Sequence, residues 1–136
     1  MSRGVLVTGA SRGIGRAIAR KFAEAGDRVA VHHGSSPDLA EDVRRQLPGA
    51  GHVVVQADMG DAEAVRRAVD TAAEQLGRLD VLVNNAGVFL AHPPLSTSYE
   101  DWQAAWARTL ATNLTGAANA AFAPCRTSWP PAAERS

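Results

Sequence analysis

Residues 4–15, Gly-Val-Leu-Val-Thr-Gly-Ala-Ser-Arg-Gly-Ile-Gly, constrain this chain more than any other stretch. Val5, Leu6 and Val7 are a short apolar run rich in β-branched residues, the pattern of a strand buried on both faces. A turn follows with glycines at 9, 13 and 15. Ile14, Ile18, Phe22 and Ala25 then recur at helical spacing until Gly26 stops the helix. Strand, glycine turn and helix in that order aim the unpaired N–H groups and partial positive charge of a helix N-terminus at whatever lies over the turn, which suits a phosphate. Gly9 permits the sharp turn, Gly13 lets a pyrophosphate approach the backbone, and Gly15 lets the helix pack close to the strand. The spacing is Gly-x-x-x-Gly-x-Gly, not Gly-x-Gly-x-x-Gly, and Ile14 after Gly13 excludes a Walker loop, which needs Gly-Lys-Ser/Thr.

The pattern repeats downstream. Val29-Ala30-Val31-His32 reads as a second strand. Ser36 as N-cap and Pro37 at the first helical position open a helix whose apolar face is Leu39, Ala40, Val43 and Leu47, and Pro48-Gly49 ends it. Residues 52–57 form a third strand. Asp61 caps a third helix with apolar positions Val65, Ala68, Val69, Ala72, Ala73 and Leu76, and Gly77 fits its C-terminal turn. Residues 79–83 are a fourth strand, followed by Asn84-Asn85-Ala86-Gly87. Four strands alternating with helices predict an α/β fold, a doubly wound parallel sheet in the order 3-2-1-4. Ligands in such sheets bind beyond the carboxyl ends of the strands where the order reverses, here between strands one and four. The glycine turn and Asn84-Asn85-Ala86-Gly87 therefore converge on one crevice.

Ser98, with Asp101 three residues on, reads as a capping box ahead of a long helix. Trp102, Trp106, Leu110, Leu114, Ala117 and Phe122 mark its apolar stripe, expected to pack against the sheet, with a partner subunit as the other occupant. From Pro124 the periodicity collapses, and residues 124–136 read as an irregular tail behind a domain of residues 1–123.

Thr8-Gly9-Ala10-Ser11-Arg12-Gly13-Ile14-Gly15, Asp58 after strand three, Asn84-Asn85-Ala86-Gly87 after strand four and Asn113 in Asn113-Leu114-Thr115-Gly116 together resemble the short-chain dehydrogenase/reductase family, in the family's order and contexts. The resemblance covers residues 4 to about 122 and is similar in kind to 3-oxoacyl-carrier-protein-reductase-like members. It implies an incomplete Rossmann-type fold of four strands and a long C-terminal helix. It implies further that Thr8, Gly9, Ser11, Arg12, Gly13, Ile14 and Gly15 wrap a cofactor pyrophosphate. On the same resemblance Asp58 would accept from the adenine amino group with the Met59 amide beside it, and Asn84 and Gly87 would line the floor under the adenine and nicotinamide riboses, within a cofactor-binding stretch that also takes in Asn85 and Ala86. Family members that use NAD usually carry an acidic residue after strand two. This chain has His32-His33-Gly34-Ser35-Ser36 there, with no carboxylate before Asp38. Arg12, Ser35 and Ser36 offer a 2′-phosphate a guanidinium and two hydroxyls, so the cofactor is expected to be NADP rather than NAD.

The family's hydride chemistry on a carbonyl or alcohol uses a Tyr as acid/base, a Lys four residues later, a Ser, and an Asn that keeps a water in the proton relay. Asn113 matches the last. Tyr99 is the only tyrosine and is followed four residues later by Gln103; Lys21 is the only lysine. No Tyr-x-x-x-Lys can be drawn, and an unassisted phenol titrates near ~10. The polypeptide alone is therefore expected to be catalytically incompetent, a truncated or frame-shifted reductase. A non-catalytic NADP(H)-binding or partner-completed module and a remnant without ligand are the competing readings. Strand four is expected to have a bare edge, which invites pairing, and the long helix to lose part of its packing partner at Trp102 and Trp106, so the chain is expected to be marginal, self-associating (with the long helix as a homo-oligomer contact) or completed by another chain.

Composition narrows the remaining classes. Fourteen basic and fourteen acidic residues cancel, so nothing points to nucleic acid or to a basic partner. No apolar run approaches ~20 residues, and Met1-Ser2-Arg3 leads straight into a strand, so membrane insertion and secretion are not expected and cytoplasmic placement is. Cys125 is the sole cysteine, and His32, His33, His52 and His92 lack ligand spacing, which leaves no thiolate or metal-hydrolase site.

Overall fold

A computed structural model describes residues 2–128. The four strands are β1 (Gly4–Val7), β2 (Arg28–His33), β3 (Val53–Gln56) and β4 (Val81–Val83), all parallel, in the order β3-β2-β1-β4. The helices between them are α1 (Gly13–Glu24), α2 (Pro37–Gln46) and α3 (Ala62–Leu76). After β4 the chain runs through α4 (Tyr99–Leu110), a π turn (Ala111–Gly116) and α5 (Ala117–Ser128). The predicted fold class and strand order are both present.

Both faces of the sheet are covered, as near-continuous apolar strands require. Val5, Val7, Val29 and Val31 point to one face and meet Ala19 and Ala23 of α1 and Ala40 and Val43 of α2. Leu6, Ala30 and Val55 point to the other and meet Val65, Val69, Ala72 and Leu76 of α3 and Ala120 of α5. Alternate side chains of a strand face opposite ways, so one tripeptide, Val5-Leu6-Val7, feeds both cores. The buried face of α1 is Gly15, Ala19 and Ala23, with Ile18 and Phe22 half-buried and Ile14 74% exposed. Small residues face the strands because the helix lies against the glycine turn: a Cβ on Gly15 would stand 2.2 Å from the Gly9 carbonyl oxygen.

The caps follow the sequence with one exception. Asp61 accepts from the Glu63 and Ala64 amides, Gly77 ends α3 in the left-handed region at φ 81°, and Ser98 accepts from the Asp101 amide. Ser36 precedes α2 but its hydroxyl does not cap it; that oxygen accepts from Arg12 instead.

The long helix departs from expectation. Its buried positions are Ala105, Thr112, Gly116 and Ala120, all small, while Trp106, Leu110, Leu114 and Phe122 are exposed and Trp102 is half-buried. The aromatic stripe therefore faces away from the sheet. Close approach explains the choice: a Cβ on Gly116 would stand 2.2 Å from the Met59 carbonyl oxygen, a gap no large side chain fits. Trp102 and Trp106 instead pack with His92 of the preceding loop, at ring-centroid distances of 4.9 and 5.9 Å. Helix α5 runs past Pro124 to Ser128, where the sequence pattern placed the start of an irregular tail; residues 129–136 of that tail lie outside the described residues. Among the described residues β4 pairs with β1 alone, so its other edge is open, as expected. No described helix is long and apolar enough to cross a membrane.

Candidate functional site

The glycine turn between β1 and α1 is held from both neighbouring strands. From β2, His32 Nδ1 accepts the Gly9 amide at 2.9 Å, while its Nε2–H donates to the Ala57 carbonyl at 2.9 Å. These two partners fix the tautomer with the proton on Nε2. Burial pushes the His32 imidazole below its ordinary pKa, with neighbouring His33 adding to the effect, so the ring stays neutral and Nδ1 remains an acceptor. From β4, Asn85 Nδ2 donates to the Thr8 and Gly9 carbonyls at 3.0 and 3.1 Å. Thr8 Oγ1 accepts the Asn85 and Ala86 amides at 3.0 and 2.9 Å. The turn following β4 is thus stitched to the turn following β1, and Gly9, at φ 62°, has no room for a Cβ against Ala86.

Above these stitches the start of α1 is open. Arg12 occupies the N-cap position in extended conformation without a side-chain cap, which leaves the first-turn amides for a ligand. Gly13 adopts φ 59°, and a Cβ at that position would meet nothing within 4 Å.

A cavity of about 460 Å³ lies beside this turn, a size typical of small-molecule sites. It is lined by Gly9, Ser11 and Arg12 from the turn, His32 to Ser36 from the end of β2, Ala57, Asp58 and Met59 from the end of β3, and Ala86, Gly87 and Val88 after β4. Arg108 and Thr112 of the long helix close it. Arg12 Nη2 donates to Ser36 Oγ at 3.1 Å, so the guanidinium and hydroxyl expected to take a 2′-phosphate are already side by side. His33 Nδ1 accepts the Ser36 amide at 3.1 Å and orders that corner, and burial pushes the imidazole below its ordinary pKa. Two guanidiniums and one carboxylate line the cavity, a balance that favours an anionic ligand.

Asp58 sits at the far edge. Its carboxylate accepts from Arg108 Nη1 at 3.1 Å and from the Gly60 amide at 2.8 Å. The Arg108 contact, followed by the Gly60 amide, holds its pKa below the usual carboxylate value. Asn84 lies outside the cavity and donates to the Ala117 carbonyl at 3.1 Å. Asn113 does not line it either: its amide clamps the backbone of Val88, accepting N–H at 2.8 Å and donating to the carbonyl at 2.9 Å. The π turn presents Asn113 to that loop, and π turns are frequent at functional sites. Thr8, Gly13, Ile14, Gly15 and Asn85 shape the turn from outside the cavity wall, whereas Gly9, Ser11, Arg12, Ser35, Ser36, Asp58, Met59, Ala86 and Gly87 lie on it. Sequence reasoning missed His32 and His33 as scaffolding, and Arg108 and Thr112 as lining. The histidines had a signal, two polar rings at the end of an apolar strand; the helix residues had none locally.

Comparison with known proteins agrees with this geometry. A family model described as short chain dehydrogenase matches residues 3–127. The chain is 39% identical over 121 residues to 3-oxoacyl-[acyl-carrier-protein] reductase FabG of Staphylococcus aureus, covering 88% of this chain and 48% of that one. It is 39% identical over 124 residues to 3beta-hydroxysteroid dehydrogenase 1 of Eggerthella lenta, covering 90% and 44%. Among solved structures, a short chain dehydrogenase from Burkholderia cenocepacia in complex with NADP superposes with a TM-score of 0.80 at 39% identity, covering 91% of this chain and 50% of that one. A blue fluorescent protein from a metagenomic library in complex with NADPH gives 0.79 at 38%, covering 94% and 51%. The chain spans about half the length of these relatives. Strand order, glycine turn and relatives converge, and the chain belongs to the short chain dehydrogenase family.

Proposed function

We propose that these residues form the NADP(H)-binding part of an oxidoreductase acting on a carbonyl or alcohol, and that the polypeptide as it stands binds the dinucleotide without turning over a substrate. The Arg12–Ser36 pair beside an end of β2 that carries no carboxylate is the observation that supports NADP over NAD. The residues fit the group: open amides at the start of α1 suit a pyrophosphate, Arg12 and Ser36 suit a 2′-phosphate, and Asp58 suits the adenine amino group. The nicotinamide, when bound, supplies or accepts the hydride. What this chain adds is binding and orientation. His32, Thr8 and Asn85 hold the turn, and Asn113 fixes the Val88 segment.

Proton delivery is the missing function. Tyr99 is exposed at the start of α4 and does not line the cavity, and Lys21 pairs with Glu24 on α1. Fluorescence titration with NADPH and NADH tests the binding half: tighter binding of NADPH is expected, and a preference for NADH overturns it. NADPH oxidation with a panel of ketones and aldehydes tests the second half, and turnover by the purified chain refutes it. The open edge of β4 with the exposed Trp106, Leu110 and Leu114 favours a second reading, a module completed by another chain or by its own copy. A strictly monomeric, concentration-independent sedimentation profile would count against it.

A further inference from the structure

His32 holds the glycine turn to β2 by two bonds of different kinds. Its backbone carbonyl accepts the Ala10 amide at 2.9 Å, and its ring Nδ1 accepts the Gly9 amide at 2.9 Å. The first bond is indifferent to protons; the second is not. Across the ring, Nε2–H donates to the Ala57 carbonyl, so the imidazole sits between a donor and an acceptor that the neutral Nε2–H tautomer alone satisfies together. A proton added at Nδ1 would set N–H against N–H. Turning the ring over offers no escape, because both nitrogens of an imidazolium are donors. His32 is 2% exposed, and burial disfavours the charged ring further.

When the ring is charged, the turn must give way. The Gly9 carbonyl lies so close to α1 that a Cβ on Gly15 would stand 2.2 Å from its oxygen, so a displaced Gly9 carries the first turn of the helix and its open amides with it. The Ala10 bond and the β1–β2 ladder involve no titrating group, and the sheet survives the change. Charge around the ring comes from several elements: His33 on β2, Arg12 before α1, Asp58 after β3 and Arg108 on α4 share its cavity, and Asp61 caps α3 nearby in sequence. Asp58 is answered by Arg108, and the β4 turn contributes the neutral Asn85. Of these groups only His33 acts electrostatically on the His32 ring, and it too opposes a positive charge there.

We propose that a proton on His32 and a dinucleotide at the glycine turn exclude one another, which makes His32 a positioning residue that releases the ligand in acid. The inference rests on the NADP(H) reading above. Two measurements on the whole chain test it. Nitrogen-15 NMR of the imidazole rings should show His32 as the Nε2–H tautomer near pH ~8, titrating below the ordinary value of 6.5, with a midpoint lower still under saturating NADP⁺. Calorimetric titration with NADP⁺ from the same pH downward gives the second. Taken as a ratio to the H32N profile, which removes the ligand's own phosphate titration, wild-type affinity should fall about tenfold by one pH unit below the ligand-free His32 midpoint. H32N and H32Q both carry an amide oxygen for the Gly9 N–H and nothing that titrates in this range, so H32Q serves if H32N does not fold; the NMR needs neither. Three results each overturn the assignment alone: a His32 ring that stays neutral down to the pH of unfolding, a midpoint that rises on binding as attraction to the phosphates would make it, or wild-type and variant profiles that run parallel. A wild-type chain that binds no NADP⁺ near pH ~8 overturns it together with the NADP(H) reading.

Discussion

Replacing Thr8 with valine removes the hydroxyl that joins the two ligand-facing turns while keeping the side chain's shape. Thr8 is 2% exposed, and its Oγ1 donates to the Val83 carbonyl at 3.3 Å while accepting the Asn85 and Ala86 amides. The two amides are not equally dependent on it. The Asn85 N–H also reaches the Val83 carbonyl at 3.1 Å and keeps that bond, whereas the Ala86 N–H loses its acceptor. One orphaned amide costs about 1–3 kcal/mol, and the weakened neighbour brings the expected loss to about 2–3 kcal/mol. For a chain of this length that lowers the melting temperature by roughly 6–15 °C. Thr8→Ser is the control: it keeps the hydroxyl and gives up one buried methyl, about 1 kcal/mol. Thermal melts followed by circular dichroism should rank wild type above T8S above T8V. A T8V chain that melts with wild type, or above T8S, would refute the claim that this oxygen holds the β4 turn in place.

Gly15→Ala should destabilise by about 3 kcal/mol, because its Cβ meets the Gly9 backbone carbonyl and an Asn85 side-chain amide that is itself pinned to the Thr8 and Gly9 carbonyls. Gly13→Ala should cost only about 1–2 kcal/mol, since its methyl meets nothing and the penalty is the left-handed backbone; comparing the two melts separates packing from conformation. Stability should fall as pH drops below the ordinary histidine value of 6.5, because the unfolded chain then takes up protons that buried His32 and His33 refuse in the folded one. An H32N chain, whose amide oxygen still accepts the Gly9 N–H, should show a shallower fall between pH 7 and 5 by denaturant titration, in line with one fewer buried imidazole. Arg12→Ala should weaken NADPH by about 10-fold or more and leave NADH nearly unchanged, measured by fluorescence titration.

The sheet was legible because its signals are local. Val5 to Val7, Val29 to Val31 and Val53 to Val55 are short apolar runs rich in valine, and Asp61, Gly77 and Ser98 cap where their chemistry says they should. The helix faces were less legible, because large apolar residues at helical spacing announce an amphipathic stripe without saying which way it turns. In α1 and along α4–α5 the buried side is the small one, Gly15-Ala19-Ala23 and Ala105-Thr112-Gly116-Ala120, and the bulky stripe lies outward or half-buried. Backbone-to-backbone approach decided this, at Gly9 for one helix and at Met59 for the other, and no single-helix periodicity encodes a distance to another segment. Arg108 escaped for the same reason: its partner Asp58 is fifty residues away. Ser36 shows the converse, a residue placed correctly as N-cap whose hydroxyl went to a better donor, the Arg12 guanidinium.

The ligand-facing turn therefore owes its shape to the folded sheet as well as to its own sequence. Its glycines make the conformation accessible, and the bonds that select it come from His32 on β2 and Asn85 beyond β4, while its own Thr8 holds the β4 turn in return. The helix amides at the start of α1 gain nothing from these contacts directly; they are positioned because Gly9 is. Binding and global stability must then rise and fall together for Thr8, His32 and Gly15, whereas Arg12, exposed and with its guanidinium on Ser36, can change affinity with the fold intact. That division is measurable: plotted as ligand affinity against melting temperature, the first three substitutions should fall on one line and Arg12→Ala well off it. Should Arg12→Ala fall on the same line, the guanidinium would be part of the scaffold, and the 2′-phosphate would have lost its proposed partner.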